Sequence, residues 1–514
     1  MRIGIYNRWL KTFGGGEKHS LAIAEYLSQK HFVEVINHQS VEKEIAENRL
    51  NLDLSKIEFR TIPECLSSEL PPVTADYDLF VNASYLDFFP SQAKFSTTLI
   101  YFPTKIYDPV SSRGKLKLLA RQWFKIPTFA SGVNSYQVAN STVQWLTEEV
   151  VKIRFAPSAS EYQVTFDLRS CDPLITRATL YLDDEQISRI NFSDIDSFVH
   201  CKFMIPGTQD VLFHELIIKA ETNKENGNKN KLELTRMQVG LPNHRLYRQL
   251  FERGFQNLAW RLNYFPAHTN IPKYLDTYDM IWANSEFTRK WIKKYWHLKS
   301  EVLYPPVNVD DFKMNSKRQQ ILNVGRFFAG QHNKKHSVLV EAFKEMVDAG
   351  LKGWEFHLVG GTTPGEIHEA YLADIYQSSK GYPIVIHPDA TFEELVRLYT
   401  ESTIYWHASG FGENEKQHPE KFEHFGITTV EAMASGCVPI VISKGGQPEI
   451  VKNNENGFLW NTLKELKKQT LQVIEDPTLQ NRLSSAALAS SKTYDKNHFQ
   501  ARIDFLLDQI GFPG

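Results

Sequence analysis

The stretch Glu423-His-Phe-Gly-Ile-Thr-Thr-Val-Glu431, continued by Ala-Met-Ala-Ser-Gly436, decides how this chain is read. Two carboxylates stand eight positions apart. That is just over two helical turns, so one helix cannot set both side by side at one end. A loop running into a helix can. Glu423 then sits in the loop before a Phe-Gly turn, and Glu431 lies one to two turns into the helix. The backbone N–H groups of Gly426, Ile427 and Thr428 face whatever lies in front of the helix start, an anion site flanked by two acids. A ligand carrying both phosphates and hydroxyls, such as a nucleotide sugar, suits this arrangement, because a carboxylate accepts from two neighbouring hydroxyls at once. Glu431 suits a ribose diol and Glu423 a second sugar.

Around that stretch, short buried strands alternate with helices. Arg2–Tyr6, Val33–Asn37, Tyr77–Ala83, Ser96–Tyr101 and Tyr278–Asn284 read as strands of a parallel, doubly wound sheet, with Lys18–Lys30 as a helix. Ser285 is placed to cap a helix over Ser285–Tyr295. After Tyr304-Pro305-Pro306 the rhythm restarts, with strands at Gln320–Gly325, Trp354–Val359, Ile384–His387, Ile404–His407 and Val438–Ile442. From about Ile153 to Leu241 the pattern changes to period-two strands without helices, separated by Asp183-Asp184, Pro206-Gly207 and a polar run over Thr222–Asn230. That reads as an antiparallel sandwich, and insertion at a surface loop of a finished domain is tolerated. The expected division is 1–152 plus 242–305 as a first Rossmann-like domain, 153–241 as the inserted sandwich, 306–496 as a second Rossmann-like domain, and 497–514 as a helix returning to the first. The fold class is α/β, two doubly wound domains facing a cleft, with ligands at the carboxyl ends of the strands.

The composition excludes other classes. The 58 Lys and Arg nearly balance the 60 Asp and Glu, so no bulk field draws the chain to nucleic acid. No apolar run is long enough to span a bilayer, and Met1–Tyr6 reads as a strand and not as a signal peptide. Cys65, Cys171, Cys201 and Cys437 are widely spaced with no CxxC pattern, consistent with reduced thiols in the cytoplasm.

Further residues point at the cleft. Val324-Gly325-Arg326 ends the first strand of the second domain, and Lys334-Lys335 follow; a diphosphate needs cations delivered from a fixed scaffold. Gly14-Gly15-Gly16-Glu17 lies between the first strand and helix. Its glycines allow close backbone approach, although it is neither a GxGxxG fingerprint nor a Walker loop. Gly445-Gly446-Gln-Pro-Glu449 repeats the strand–glycine–helix theme. Asp194-Ile-Asp196 is the only DxD pattern, in the expected sandwich and far from the cleft in sequence, and no His/Cys cluster has metal-ligand spacing. Ser112–Lys125 interleaves basic residues with Leu, Trp and Phe. It reads either as a surface helix with a basic outer face or as a peripheral membrane contact that grips a lipid-linked acceptor.

The run Glu423–Gly436 resembles the EX7E signature of retaining glycosyltransferases of family 4. Gly14–Glu17, Ala283–Thr288, Val302–Val307, Val324–Arg326, Lys334, His357–Gly361 and Gly445-Gly446 resemble the same family in order. The resemblance implies the GT-B fold, with the sandwich left over. It implies Arg326 and Lys334 on the donor diphosphate, with Lys334 preferred to Lys335 by its distance to Glu341-Ala-Phe343. It further implies Glu423 on the donor sugar, Gly325, Gly426, Ile427 and Thr428 around the donor, Glu431 on the ribose, and Gly15 and Gly16 facing the phosphates from the other domain. Glu17 and Tyr101 are candidates for acceptor or sugar contact. Tyr101-Phe102-Pro103 stands where many relatives have His-Phe-Pro, and a tyrosine is a poor proton carrier at neutral pH.

The implied activity is retaining transfer of a sugar from a nucleotide-diphosphate sugar, with GDP-mannose favoured, to a glycan or lipid-linked acceptor in cell-surface polysaccharide synthesis. No cofactor or metal is expected, and the place is the cytoplasm or the inner face of the membrane. A GT-B epimerase or phosphorylase, or a non-catalytic glycan-binding protein, stay as alternatives.

Overall fold

The computed structural model describes all residues except 108–110, 140–141, 196, 209, 222–228, 264–271, 313–315, 331–332 and 514. Arg2–Tyr6 is buried at four of its five positions, because helices cover both faces of the sheet it belongs to. That sheet has seven parallel strands, in spatial order Glu301–Val302, Met280–Ala283, Phe95–Ile100, Leu79–Asn82, Arg2–Tyr6, Phe32–Asn37 and Ile57–Thr61. The second sheet has six, in the order Ile384–Pro388, Glu355–Gly360, Arg318–Val324, Ser402–His407, Val438–Ile442 and Phe458–Trp460, again all parallel. In each, the chain starts in the middle and winds first to one side and then to the other. The crevices so formed lie between Arg2–Tyr6 and Leu79–Asn82, and between Arg318–Val324 and Ser402–His407.

The antiparallel layer differs from the expected boundary. It begins at Thr128, not at 153, with a long hairpin of Thr128–Ala139 and Thr142–Phe155. The second of these strands pairs Leu232–Thr235 over its first half and His214–Lys219 over its last, so it links two groups of strands around one core. Register shifts in the hairpin, one beside Gly132 at φ +80°, supply the bend. Val143, Trp145, Thr147, Val151, Ile153 and Phe155 are buried in alternation, so the period-two pattern extends upstream of 153 and is broken only in Thr128–Ala139, where the register slips. Arg154 fastens the layer to the first domain. It donates to Glu69 (2.8 Å), Glu215 (2.7 Å) and the Glu64 carbonyl (2.8 Å), and its guanidinium lies 4.3 Å over the Phe213 ring. Asp194 accepts from Ser197 N–H at 2.7 Å in an exposed turn, while Asp196 lies outside the described residues.

The final helix, Lys496–Gln509, buries Phe499, Ile503, Leu506 and Leu507 in the first domain's core with Ile3, Leu21 and Leu27. Tyr26 donates to Asp504 at 2.6 Å across this contact. The two Rossmann-like domains are joined again at Glu449. Its carboxylate accepts from the N–H groups of Glu286 (2.8 Å) and Phe287 (2.5 Å) and from the Tyr304 hydroxyl (3.1 Å). An acid of one domain thereby caps the Glu286–Trp296 helix of the other, beside the Ser285 side-chain cap (3.0 Å to Thr288 N–H). Burial pushes the Glu449 carboxyl up to about 7 against the pull of these donors. The motif at Gly445–Glu449 is therefore a clasp between domains.

Candidate functional site

The helix that Glu423–Glu431 promised spans Ile427–Ala434. It begins at Gly426, whose φ of +119° only glycine adopts without strain and whose absent Cβ leaves room for the Gln447 amide (2.3 Å from where a Cβ would stand). No side chain caps this helix start, so its first N–H groups point into the cleft. Glu423 lies in the loop before it, at the carboxyl end of the sheet. Its Oε2 accepts from Lys334 Nζ at 2.5 Å and from His407 Nε2 at 3.1 Å. Burial raises the Glu423 pKa, but Lys334 and His407 outweigh that and hold the carboxyl well below its ordinary range. His407 is itself lowered, by burial foremost. The Glu423 carboxylate thus stays ionised and can accept hydrogen bonds, but has no proton to give near neutral pH.

Lys334 reaches this position because Gly325 has no side chain. A Cβ there would stand 2.5 Å from Lys334 Cγ. Arg326, one residue on, lies with its guanidinium 6.0 Å above the Phe328 ring and has no ion pair among the described residues. Lys335 points elsewhere, to Glu413 (3.1 Å), which also pairs with Lys421 (3.0 Å). The two lysines therefore divide: one faces the cleft, the other braces the 409–422 loop.

Glu431 is 9% exposed. Tyr399 donates to its Oε2 at 2.9 Å, and from the first domain Lys18 Nζ approaches its Oε1 at 4.0 Å. Thr428 pairs its hydroxyl with Tyr405 at 2.8 Å. Across the cleft, Gly15 faces Ile427, whose Cδ1 would lie 3.2 Å from a Cβ at Gly15. Tyr101 donates to the Gly16 carbonyl at 2.7 Å and packs its ring over that glycine. Burial, and after it Glu17, push the Tyr101 hydroxyl's pKa well up. Glu17 accepts from the N–H of Gly14 at 2.8 Å, so its carboxylate caps its own helix. Next to Tyr101, the Phe102 ring stacks on His424 at 4.2 Å and 15°.

Sequence reasoning brought together Arg326, Lys334, Glu423, Glu431 and both glycine turns. It missed His407, Tyr399, Tyr405 and Lys18. His407 left a faint signal, a polar residue closing the otherwise apolar strand Ser402–His407. Tyr399 left none, since a tyrosine on an amphipathic helix is ordinarily core. Among the described residues, no group of three or more His, Cys, Asp or Glu is placed to hold a metal.

Two parallel-sheet domains facing each other across this crevice make the GT-B architecture. The solved structure of Anabaena HepE in complex with UDP shares the fold over 99% of this chain and 100% of its own, with a TM-score of 0.52 at 11% identity. Sucrose-phosphate synthase from Thermosynechococcus elongatus does so over 99% of each chain, with a TM-score of 0.50 and 11% identity. Residues 307–489, within the second domain, match the family described as glycosyl transferases group 1. Similar curated proteins include the GDP-Man:Man(3)GlcNAc(2)-PP-Dol alpha-1,2-mannosyltransferase of Xenopus laevis, 27% identical over 35% of this chain and 38% of that protein. An alpha-1,3/1,6-mannosyltransferase of Dictyostelium discoideum is 26% identical over 39% of this chain and 53% of that protein. The chain thus spans under two thirds of the length of these relatives.

Proposed function

We propose that the protein is a retaining glycosyltransferase that moves a sugar from a nucleotide-diphosphate sugar, GDP-mannose by preference, to a glycan or lipid-linked acceptor in cell-surface polysaccharide synthesis. The carrying observation is the convergence of Lys334, Glu423 and the uncapped start of the Ile427–Ala434 helix at the crevice of the second sheet. The mannosyltransferase relatives support the choice of donor.

In this reading the donor diphosphate lies against Arg326, Lys334 and the N–H groups of Ile427 and Thr428. Glu431 accepts from the ribose hydroxyls, its second oxygen already oriented by Tyr399. Glu423 accepts from hydroxyls of the sugar. The bond from the anomeric carbon to the diphosphate breaks as the acceptor hydroxyl attacks from the same face, and the departing phosphate oxygen takes the acceptor's proton. No protein base is required, which matches a Glu423 held ionised by its neighbours. Arg326, Lys334 and the helix start stabilise the charge that develops on the leaving group, and they make the reaction metal-independent. Transfer takes place in the cytoplasm or at the inner membrane face. No helix among the described residues is long and apolar enough to cross a membrane.

A thermal-shift comparison of GDP-, UDP- and dTDP-sugars tests the donor, since a ligand bound only by the folded state stabilises with the logarithm of its concentration over Kd. Stabilisation by GDP-mannose is the expected result. A transfer assay in which Arg326→Ala and Lys334→Ala both keep normal turnover would sink the mechanism.

A further inference from the structure

The helix Ser112–Phe124 does not turn its basic side out and its apolar side in. Leu118, Arg121 and Phe124 are its buried residues. Leu116, Leu119 and Trp123, spaced along one face, are 71%, 60% and 57% exposed. An apolar stripe of this size facing water calls for an explanation. It does not end with the helix. Asn243 donates to the Trp123 carbonyl at 2.8 Å, which sets the face of Pro242–Tyr247 that carries Asn243 and Leu246 against the end of the first helix. Leu246 and Leu250 continue that face, exposed at 40% and 46%, and Phe255 follows at 63%. Beneath them Phe124 packs edge-on against Phe251 (5.4 Å), with Tyr247 in the same small core. The exposed apolar side chains therefore share one firmly supported surface.

The charge of that surface is one-sided. Segments 111–125 and 242–263 hold nine Lys and Arg against a single acid, Glu252, and Glu252 is occupied by Arg248 at 3.0 Å. Lys115 pairs with Asp276. Lys117 is lowered by burial and then by the neighbouring Arg261, a cation beside a cation. Arg113, Lys117, Lys125, Arg245, Arg253 and Arg261 have no ion pair among the described residues.

The surface follows the cleft segment closely in the chain. Eight residues separate Ser112 from Tyr101-Phe102-Pro103, where Phe102 stacks on His424, and Trp296 donates to the Thr104 carbonyl at 2.9 Å. We infer that the helices Ser112–Phe124, Pro242–Tyr247 and Gln256–Asn263 form a docking face for an anionic lipid bilayer. Leu116, Leu119, Trp123, Leu246, Leu250 and Phe255 enter the headgroup boundary, and the unpaired cations meet the lipid phosphates. The choice of bilayer over a protein partner rests on this charge: an apolar stripe ringed by unpaired cations complements anionic headgroups. The inference rests on the proposed transfer only in that a lipid-linked acceptor explains why such a face should follow a cleft segment in the chain.

The test is flotation of the full chain with phosphatidylcholine vesicles, with and without phosphatidylglycerol, at low and high salt. Capture by the anionic vesicles is expected, weakened about tenfold or more at high salt. Leu116→Ser, Leu119→Ser and Trp123→Ser together should weaken it on the order of 100-fold, since three large apolar groups leave the boundary. Leu246→Ser with Leu250→Ser, and separately Lys117→Glu with Arg261→Glu, should each cost about tenfold. An unchanged unfolding temperature shows that each variant folds. Vesicle binding needs no donor, so a failure of the transfer assay leaves this result standing, and the reverse. Capture by neither vesicle would overturn the inference. So would equal capture of the Leu116/Leu119/Trp123 variant, or a dimer on sizing that this variant abolishes, which would make the face one of self-association.

Discussion

The two glycine turns that face each other across the cleft have the same local plan and opposite fates. Each follows a strand and opens a helix. At Gly14–Glu17 the first turn of the helix carries an acid, Glu17, whose carboxylate takes the Gly14 N–H, and Tyr101 covers Gly16. At Gly426–Thr428 the helix start has no side-chain cap, while Lys334, His407 and Tyr399 orient the two acids beside it. A first turn that holds its own carboxylate makes a wall, and one without an acid makes a receptor for an anion. The difference comes from the residue three places into the helix: a glutamate in the first domain, and in the second a threonine, Thr429, whose hydroxyl is given to Gln447 at 2.8 Å.

The strongest test of this contrast removes the cation of the receptor. Lys334→Ala should lower turnover about 100- to 1000-fold, as loss of one oriented donor to a developing charge does, with far-UV circular dichroism unchanged. Next, Glu431→Gln should weaken nucleotide-sugar binding about 10- to 100-fold in calorimetry, the scale of losing hydrogen bonds to a charged acceptor. The glycines sharpen the comparison through stability. Gly426→Ala should cost ~1–3 kcal/mol in denaturant unfolding, because φ +119° is closed to alanine and Gln447 fills the space. Gly15→Ala meets only the tip of Ile427 and should cost less than about 1 kcal/mol. Glu17→Ala should cost ~1 kcal/mol as a lost cap and leave turnover within a few-fold. If it instead abolished turnover at unchanged stability, the first turn would be more than a wall.

A last test, read as a dependence on pH, concerns the clasp that holds the two turns opposite each other. The folded protein holds the Glu449 carboxyl near 7, above its ordinary 4.5. Between those values the fold keeps a proton that the unfolded chain has released, so stability falls as pH rises. This contribution is complete below about pH 4.5 and is lost through pH 7. Wild type should therefore lose more thermal stability between pH 5 and 8 than Glu449→Gln does. Equal slopes in calorimetry would remove Glu449 as the cause.

Much of the site was legible because its parts are local. Glu423, the Phe-Gly turn and Glu431 lie within one loop and one helix, and Arg326 follows its strand directly. The partners that tune these residues are not local. His407 is 16 residues from Glu423, Lys334 is 89, and Tyr399 is 32 from Glu431. No periodicity links such positions. The start of the antiparallel layer escaped for a related reason. Thr128–Ala139 slips register three times against its partner, and each slip disrupts the alternation by which a strand is recognised.

Ser112–Phe124 shows the limit most clearly. Its helical spacing and its mixture of Leu, Trp and basic residues stand in the sequence, but which of its faces meets water depends on Phe251 and Tyr247, more than a hundred residues away. Backbone periods, glycine turns and the spacing of two acids are properties of neighbouring residues, so the amino-acid order alone determined two doubly wound domains and the pair of acids around the Phe-Gly turn. Which carboxylate stays ionised, which lysine faces the cleft, which glycine turn is open and which face of a helix is bare are properties of groups brought together from distant segments. Those were decided by the tertiary packing, because burial and charge act through space and not along the chain.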